Sequence, residues 1–211
     1  MLKRLLTLAG ASVLAFQVAT ADDAQPIFVE MITNKGNITL ALEPEKAPNT
    51  VGNFIQYVVD GHYDDLIFHR VIPGFMIQGG GWDSNLVPKE TRAPVNIESN
   101  NGLSNDKGTI AMARTSDPNS ATSQFFINTV DNAYLNYQSD NNPGYTVFGR
   151  VVDGMDVVDA IEQVPTSNRG FGRSDVPVEP VIIEKMTLIE APKTEASPET
   201  ITPAPESAPA A

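Results

Sequence analysis

The stretch Phe68-His69-Arg70-Val71-Ile72-Pro73-Gly74-Phe75-Met76-Ile77-Gln78-Gly79-Gly80 decides how this chain folds. It predicts two strands, Ile67 to Ile72 and Phe75 to Gln78, with Pro73-Gly74 between them as turn residues. The same grammar runs outward in both directions. Ile27 to Ile32 and Ile38 to Leu42 alternate apolar with polar and are joined through Asn34-Lys35-Gly36, a hairpin signal. Thr109 to Ala113, Gln124 to Thr129, Thr146 to Val152 and Val181 to Ile189 are further strand candidates. Between them, Gly79 to Gly108 is rich in Asn, Ser, Pro and charge and predicts a long surface loop region near whatever site the fold carries. Its Gly79-Gly80-Gly81 run lacks the Lys-Ser/Thr of a phosphate loop and reads as a turn.

Two segments carry a different period. Val51, Phe54, Ile55, Val58 and Val59 share one face of a helix, which Gly61 can end. Val157, Val158, Ile161 and Val164 form a shorter stripe, with Asp153 placed to cap its start and Pro165 just past its end. Many short strands with two well-separated helices predict a mainly β fold: a closed antiparallel barrel with its ends covered by the helices. Closure disposes of exposed strand edges.

Composition narrows the chemistry. The chain has 211 residues, 41% hydrophobic and 7% aromatic, enough for one domain with a core. A formal charge of -12 makes nucleic acid a poor partner. Without cysteine there is no thiol nucleophile, disulfide or thiolate site. The two histidines, His62 and His69, have no zinc-motif spacing, so neither metal nor cofactor is assigned.

The two ends stand apart from the domain, which spans residues 22–190. Residues 1–21 read as an export signal: Lys3 and Arg4, a mostly apolar Leu5 to Val18, then Ala19-Thr20-Ala21 ahead of Asp22. The apolar run is shorter than the ~20 residues a bilayer needs, so the mature chain is expected without a membrane anchor. Ala191 to Ala211 holds five prolines and only Ile201 as a large apolar residue, and is expected to be a disordered tail.

No Ser elbow, nucleophile-base pair or carboxylate pair stands out, which leaves a binding module or an enzyme that works by electrostatics and shape. The opening stretch resembles the signature of the cyclophilins. Gly108-Thr109-Ile110-Ala111-Met112-Ala113, then Ser123-Gln124-Phe125-Phe126-Ile127-Asn128, and Val147-Phe148-Gly149-Arg150-Val151 resemble the same family, in order and register across residues 26–190. With the short connection after Gly81 and the export signal, the chain looks most like the bacterial periplasmic branch.

That resemblance implies an eight-stranded barrel and peptidyl-prolyl cis-trans isomerase activity. It also implies a place in the folding of exported proteins, in the periplasm first and as a secreted protein second. By position, Arg70 matches the catalytic arginine. Phe75, Met76, Phe126 and Leu135 match the pocket for the proline ring, and Gln78 the glutamine supporting the arginine. Ala113 and Gln124 line the groove beside it. Tyr134 stands where relatives often carry tryptophan, so cyclosporin binding is expected to be weak. Tyr145 stands where they often carry histidine; it can close the groove and donate a hydrogen bond. The implied partners are proline-containing peptides and unfolded exported proteins, met by a monomer. A non-catalytic chaperone or scaffold gripping proline segments is the alternative.

Elementary chemistry supports the assignment. Rotation about a peptide bond costs ~18–20 kcal/mol because the nitrogen lone pair is delocalised. In the twisted state the nitrogen becomes an acceptor, so a guanidinium beside it stabilises the transition state more than the ground state. Taken alone, Arg70 on a strand reads as an ion-paired surface arginine; the flanking motif favours catalysis. Strict alternation sends His69 to the barrel face opposite Arg70, a structural role. Trp82 receives no role. Arg114, unusual after Ala113, biases peptide preference toward acidic neighbours.

Overall fold

The computed structural model describes residues 25–170 and 174–192. The segments expected to be an export signal (residues 1–21) and, beyond Pro192, a tail lie outside the described residues. Strands β1 (Ile27–Thr33) and β2 (Gly36–Leu42) lead into helix α1 (Pro48–Val59), then β3 (Leu66–Ile72) and β4 (Met76–Asp83). After a long excursion come β5 (Thr109–Met112), β6 (Phe125–Asn128), a single 3-10 turn (Ala133–Leu135) and β7 (Val147–Asp153). Helix α2 (Met155–Glu162), a two-stranded ribbon of β8 (Thr166–Ser167) and β9 (Val176–Pro177), and β10 (Ile182–Ile189) complete the order.

Eight strands close a barrel in the order β1-β10-β3-β4-β6-β5-β7-β2, with β2 returning to β1, and every pairing is antiparallel. Inside lie Val29, Met31, Ile38, Leu40, Phe68, Ile77, Ile110, Phe125 and Phe148, all fully buried. Alternation along the strands puts them there. Helix α1 adds Val51, Phe54 and Val58 to this core, and α2 adds Val158 and Ile161. Phe54 meets the rings of Tyr63, Phe125 and Phe148 with centroids 5.1–5.8 Å apart. Each such ring contributes roughly 1.5–3 kcal/mol by leaving water.

Helix α1 ends as its sequence requires. Gly61 takes a φ of 63°, its N–H reaches Val58 O, and the His62 N–H reaches Tyr57 O. This is the paired closure that releases a chain from a helix. At the other end the cap comes from far away. The Glu98 carboxylate accepts from the N–H groups of Asn49 (3.1 Å) and Thr50 (2.8 Å), satisfying donors that the first turn leaves open.

Three expectations are corrected. Gly79-Gly80-Gly81 is not a turn and does not open the loop: β4 runs on to Asp83. Asp153 does not cap α2; it ends β7, Gly154 takes the cap position, and the Asp153 carboxylate accepts from the Gly154 N–H. Val59 does not join the apolar face of α1. It is 64% exposed, while Tyr57 turns inward and is 2% exposed.

Candidate active site

The site begins with an irregularity between β3 and β4. Ile72, Val71 and Arg70 pair in step with Met76, Ile77 and Gln78, but Phe68 pairs with Gly79. Two steps on β3 therefore face one on β4, a bulge at His69. Its consequence is directional. Phe68 and Val71 point into the core, while His69 and Arg70 between them both line outer hollows. The expectation that His69 faces the barrel interior is thus overturned, because strict alternation fails at a bulge. A second irregularity follows, four steps along β4 from Gly79 to Asp83 against two along β3 from Phe68 to Leu66. Here the glycines have their use. A Cβ on Gly81 would lie 2.6 Å from Cγ of Gln124, and one on Gly80 would lie 2.9 Å from the Phe125 ring.

Outside the barrel wall, Met76, Ala111, Phe126 and Val147 form a second apolar cluster, with Ile72, Phe75, Leu103, Ala113, Leu135 and Tyr145 packed on it. β4, β6 and β5 lie side by side and supply its floor. Part of the cluster opens into a cavity of about 300 Å³ lined by Arg70, Phe75, Met76, Gln78, Ala113, Arg114, Phe126, Leu135 and Tyr145. Eight of the ten residues expected at the site thus line one hollow. Gln124 does not line it, but its Oε1 accepts from Gln78 Nε2 at 3.0 Å. Tyr134 stands outside as well. It is 62% exposed and stacks on Phe75, ring centroids 6.1 Å apart at 26°.

The Arg70 guanidinium makes no hydrogen bond and no ion pair with any described residue, and the side chain lines both this hollow and the one beside it. An ion-paired strand arginine, the plain reading of the residue, is not what the fold builds. Beside it, His69 faces a neighbouring hollow with Trp82, Leu86 and Gln124. Burial pushes its pKa down to about 4, and the adjacent Arg70 charge pushes the same way. Hydrogen bonding of the ring to the Ile67 backbone and the Gln124 side chain only partly opposes them.

Sequence reasoning missed what holds the far wall. Asn128, Asn132 and Asn105 are fully or nearly fully buried and bond to one another. Asn105 also bonds Asn136, and Asn132 Nδ2 reaches Phe75 O at 2.9 Å. This ladder fixes the turn carrying Leu135 to Phe75, in the turn just ahead of β4. On the opposite flank, Glu162 of α2 accepts from the Gly74 N–H at 2.7 Å and pins the β3–β4 turn. The one available signal was the Asn content of polar segments, which loops share.

A broader hollow of about 760 Å³ lies among the loops, lined mainly by polar residues such as Glu45, Glu98, Asn119 and Asp140. Two of its carboxylates are committed, Glu98 to α1 and Asp140 to the Tyr137 hydroxyl. Its one cation, Lys46, stands among carboxylates and amides rather than over an apolar floor, and size alone does not make it the site.

Comparison with known proteins agrees with this geometry. Residues 28–188 match the family described as cyclophilin type peptidyl-prolyl cis-trans isomerase/CLD. A peptidyl-prolyl cis-trans isomerase of Streptomyces antibioticus is 55% identical over 76% of this chain and 98% of its own length. Peptidyl-prolyl cis-trans isomerase B of Escherichia coli K12 is 53% identical over 75% and 97%. Among solved structures, a cyclophilin-type isomerase from Cryptosporidium parvum, determined in the presence of the dipeptide Ala-Pro, superposes with a TM-score of 0.64. It is 28% identical over 78% of this chain and 99% of that one. The chain belongs to the cyclophilin-type peptidyl-prolyl cis-trans isomerases.

Proposed function

We propose that this isomerase turns X-Pro bonds in the hollow under Arg70, and that exported proteins are its clients. The carrying observation is an unpaired guanidinium over a pocket of Phe75, Met76, Phe126 and Leu135. The apolar walls hold the proline ring while the preceding carbonyl swings. As the amide twists, the nitrogen lone pair is no longer shared with the carbonyl and becomes localised, and Arg70 donates to it only then. Gln78, held by Gln124, keeps the substrate side of Arg70 ordered. One charge-assisted bond is worth ~1.5–3 kcal/mol, roughly 10- to 150-fold in rate. Binding of proline-containing peptides is supported by the Ala-Pro dipeptide used with the Cryptosporidium relative.

The test is a protease-coupled isomerisation assay on a short X-Pro peptide, wild type beside Arg70→Ala. Near-wild-type turnover by the variant would sink the mechanism. The role in export rests on Lys3, Arg4, the apolar run and Ala19-Thr20-Ala21, which point to the periplasm. Mass spectrometry of the exported protein should show Asp22 first, and an intact Met1 in that fraction would count against it.

A further inference from the structure

The hollow has two arginines, and the second is held quite differently from the first. Arg114 follows β5, and its Nε and Nη2 both donate to Gly144 O, at 3.0 and 2.8 Å. Its Nη1 donates to Thr115 O at 2.8 Å. The guanidinium carbon lies 4.7 Å from the centre of the Tyr145 ring, and that ring stands edge-on to Phe126 at 5.5 Å. The head group is therefore fixed on three sides. Of its five N–H bonds, three are engaged and two are left over.

Charge makes this arrangement informative. The chain as a whole carries -12. Yet the only charged residues lining the hollow are Arg70 and Arg114. The ion pairs among the described residues are Arg92–Asp60, Lys107–Asp159 and Arg150–Glu43, and neither groove arginine takes part. The acid on Arg114's own loop, Asp117, turns its carboxylate to the Asn119 N–H. Two like charges on one small concave surface repel, and without a carboxylate nearby the field there stays positive. A carboxylate brought by the ligand would relieve that repulsion.

We infer that Arg114 forms an anion-accepting subsite at the Tyr145 side of the groove. The preferred substrates carry an Asp or Glu side chain within about two residues of the isomerising proline, the reach set by ~3.3–3.6 Å of chain per residue beside so small a hollow. The subsite rests on the assignment of this groove as the place where proline is turned. Arg114 positions Tyr145 and selects substrate; Arg70 faces the bond itself.

The experiment measures kcat/KM on paired peptides that differ only by Glu or Gln, placed on either side of the proline, at low and at raised ionic strength. Wild type should prefer the Glu peptide about 3- to 10-fold, as expected of a partly exposed pair with one fixed partner. Added salt should reduce the preference. Arg114→Gln should bring the ratio close to one, and Arg114→Lys, which keeps the charge without the fork, should retain part of it. The ratio is read within one variant, so a general loss of rate from a loosened Tyr145 does not disturb it. A wild-type ratio near one, or a preference that survives Arg114→Gln, would overturn the subsite. Wild-type rates on both peptides from Arg70→Ala would overturn the groove assignment beneath it, and that is read from rates rather than from the ratio.

Discussion

Phe125 and Phe126 are neighbours on β6, both nearly inaccessible to water, yet they belong to different regions of the molecule. Phe125 points inward and meets the rings of Phe54, Tyr63 and Phe68 at 5.6–6.1 Å. Phe126 points outward and meets one ring, Tyr145, with a hollow beyond it. Burial does not distinguish them; what lies on the far side of each ring does. A barrel wall one residue thick thus carries a core on one surface and the floor of the candidate site on the other, and alternation within a single strand sends each ring to its side.

The largest effect should come from the inner surface. Phe125→Ala leaves a void among close-packed rings and should cost about 3–5 kcal/mol of stability. Phe126→Ala enlarges a hollow that already exists and should cost less than half as much, while lowering kcat/KM at least ~10-fold through the lost pocket wall. Denaturant unfolding of the two variants side by side decides it. Equal losses of stability would erase the distinction between the two surfaces.

Next in size is Arg70→Ala, which should lower kcat/KM at least ~10-fold with the melting temperature almost unmoved. A large fall in melting temperature would mean that Arg70 belongs to the scaffold.

Gly81→Ala should act at one remove. The new methyl pushes Gln124 away from Gln78 and removes one neutral hydrogen bond, worth ~1 kcal/mol, or about fivefold in kcat/KM. Gln124→Ala made in the Gly81→Ala background should then add little. Independent losses from the two substitutions would show that Gly81 works by another route.

The smallest effect is an expected flatness. Burial and the adjacent Arg70 leave His69 neutral well below pH 6, so kcat/KM on an uncharged X-Pro peptide should not change between about pH 6 and 8.5. Stability is another matter. With a folded pKa of about 4 against ~6.5 unfolded, His69 is neutral in both states above ~6.5. Below that the unfolded chain takes the proton first, so stability falls from about pH 6.5 down to 4 and then levels off. A bell-shaped activity profile would bring His69 into the chemistry, which its place beside Arg70 makes a sharper question than its sequence did.

Strand and helix positions were legible because apolar period is a strong signal over runs of five to eight residues. Ile38 to Leu42 lies within β2, and the Val51, Phe54, Val58 face packs where it should. The candidate site was read through motif rather than period, and eight of the residues named for it line one hollow. What escaped was decided by backbone irregularity or by distant partners. The bulge at His69 brings Phe68 and Val71, three residues apart, to one side, but Ile67, Phe68, Val71 and Ile72 are apolar on both faces, so alternation gives no mark of it. The glycine run looked like a turn because glycine serves close approach and turns alike. Asp153 had the chemistry of a cap, but β7 extends to include it. Tyr134 matched by position and lies on the back of Phe75, since a loop places its side chains by tertiary contacts. The Asn105–Asn128–Asn132 ladder brings together residues up to 27 positions apart, which no local reading joins.

The barrel is sealed by its last strand. β10 inserts between β1, with which it pairs from Phe28 to Thr33, and β3, which it meets only at Leu66 and Ile67. Seven strands can be synthesised and still leave a gap that nothing else fills. A chain emerging from the ribosome therefore carries two open rims, on β1 and β3, until Ile182–Ile189 arrives, and closure of the barrel waits for that strand. The short seam with β3 should also be where amide protons exchange first and where a folded molecule begins to come undone.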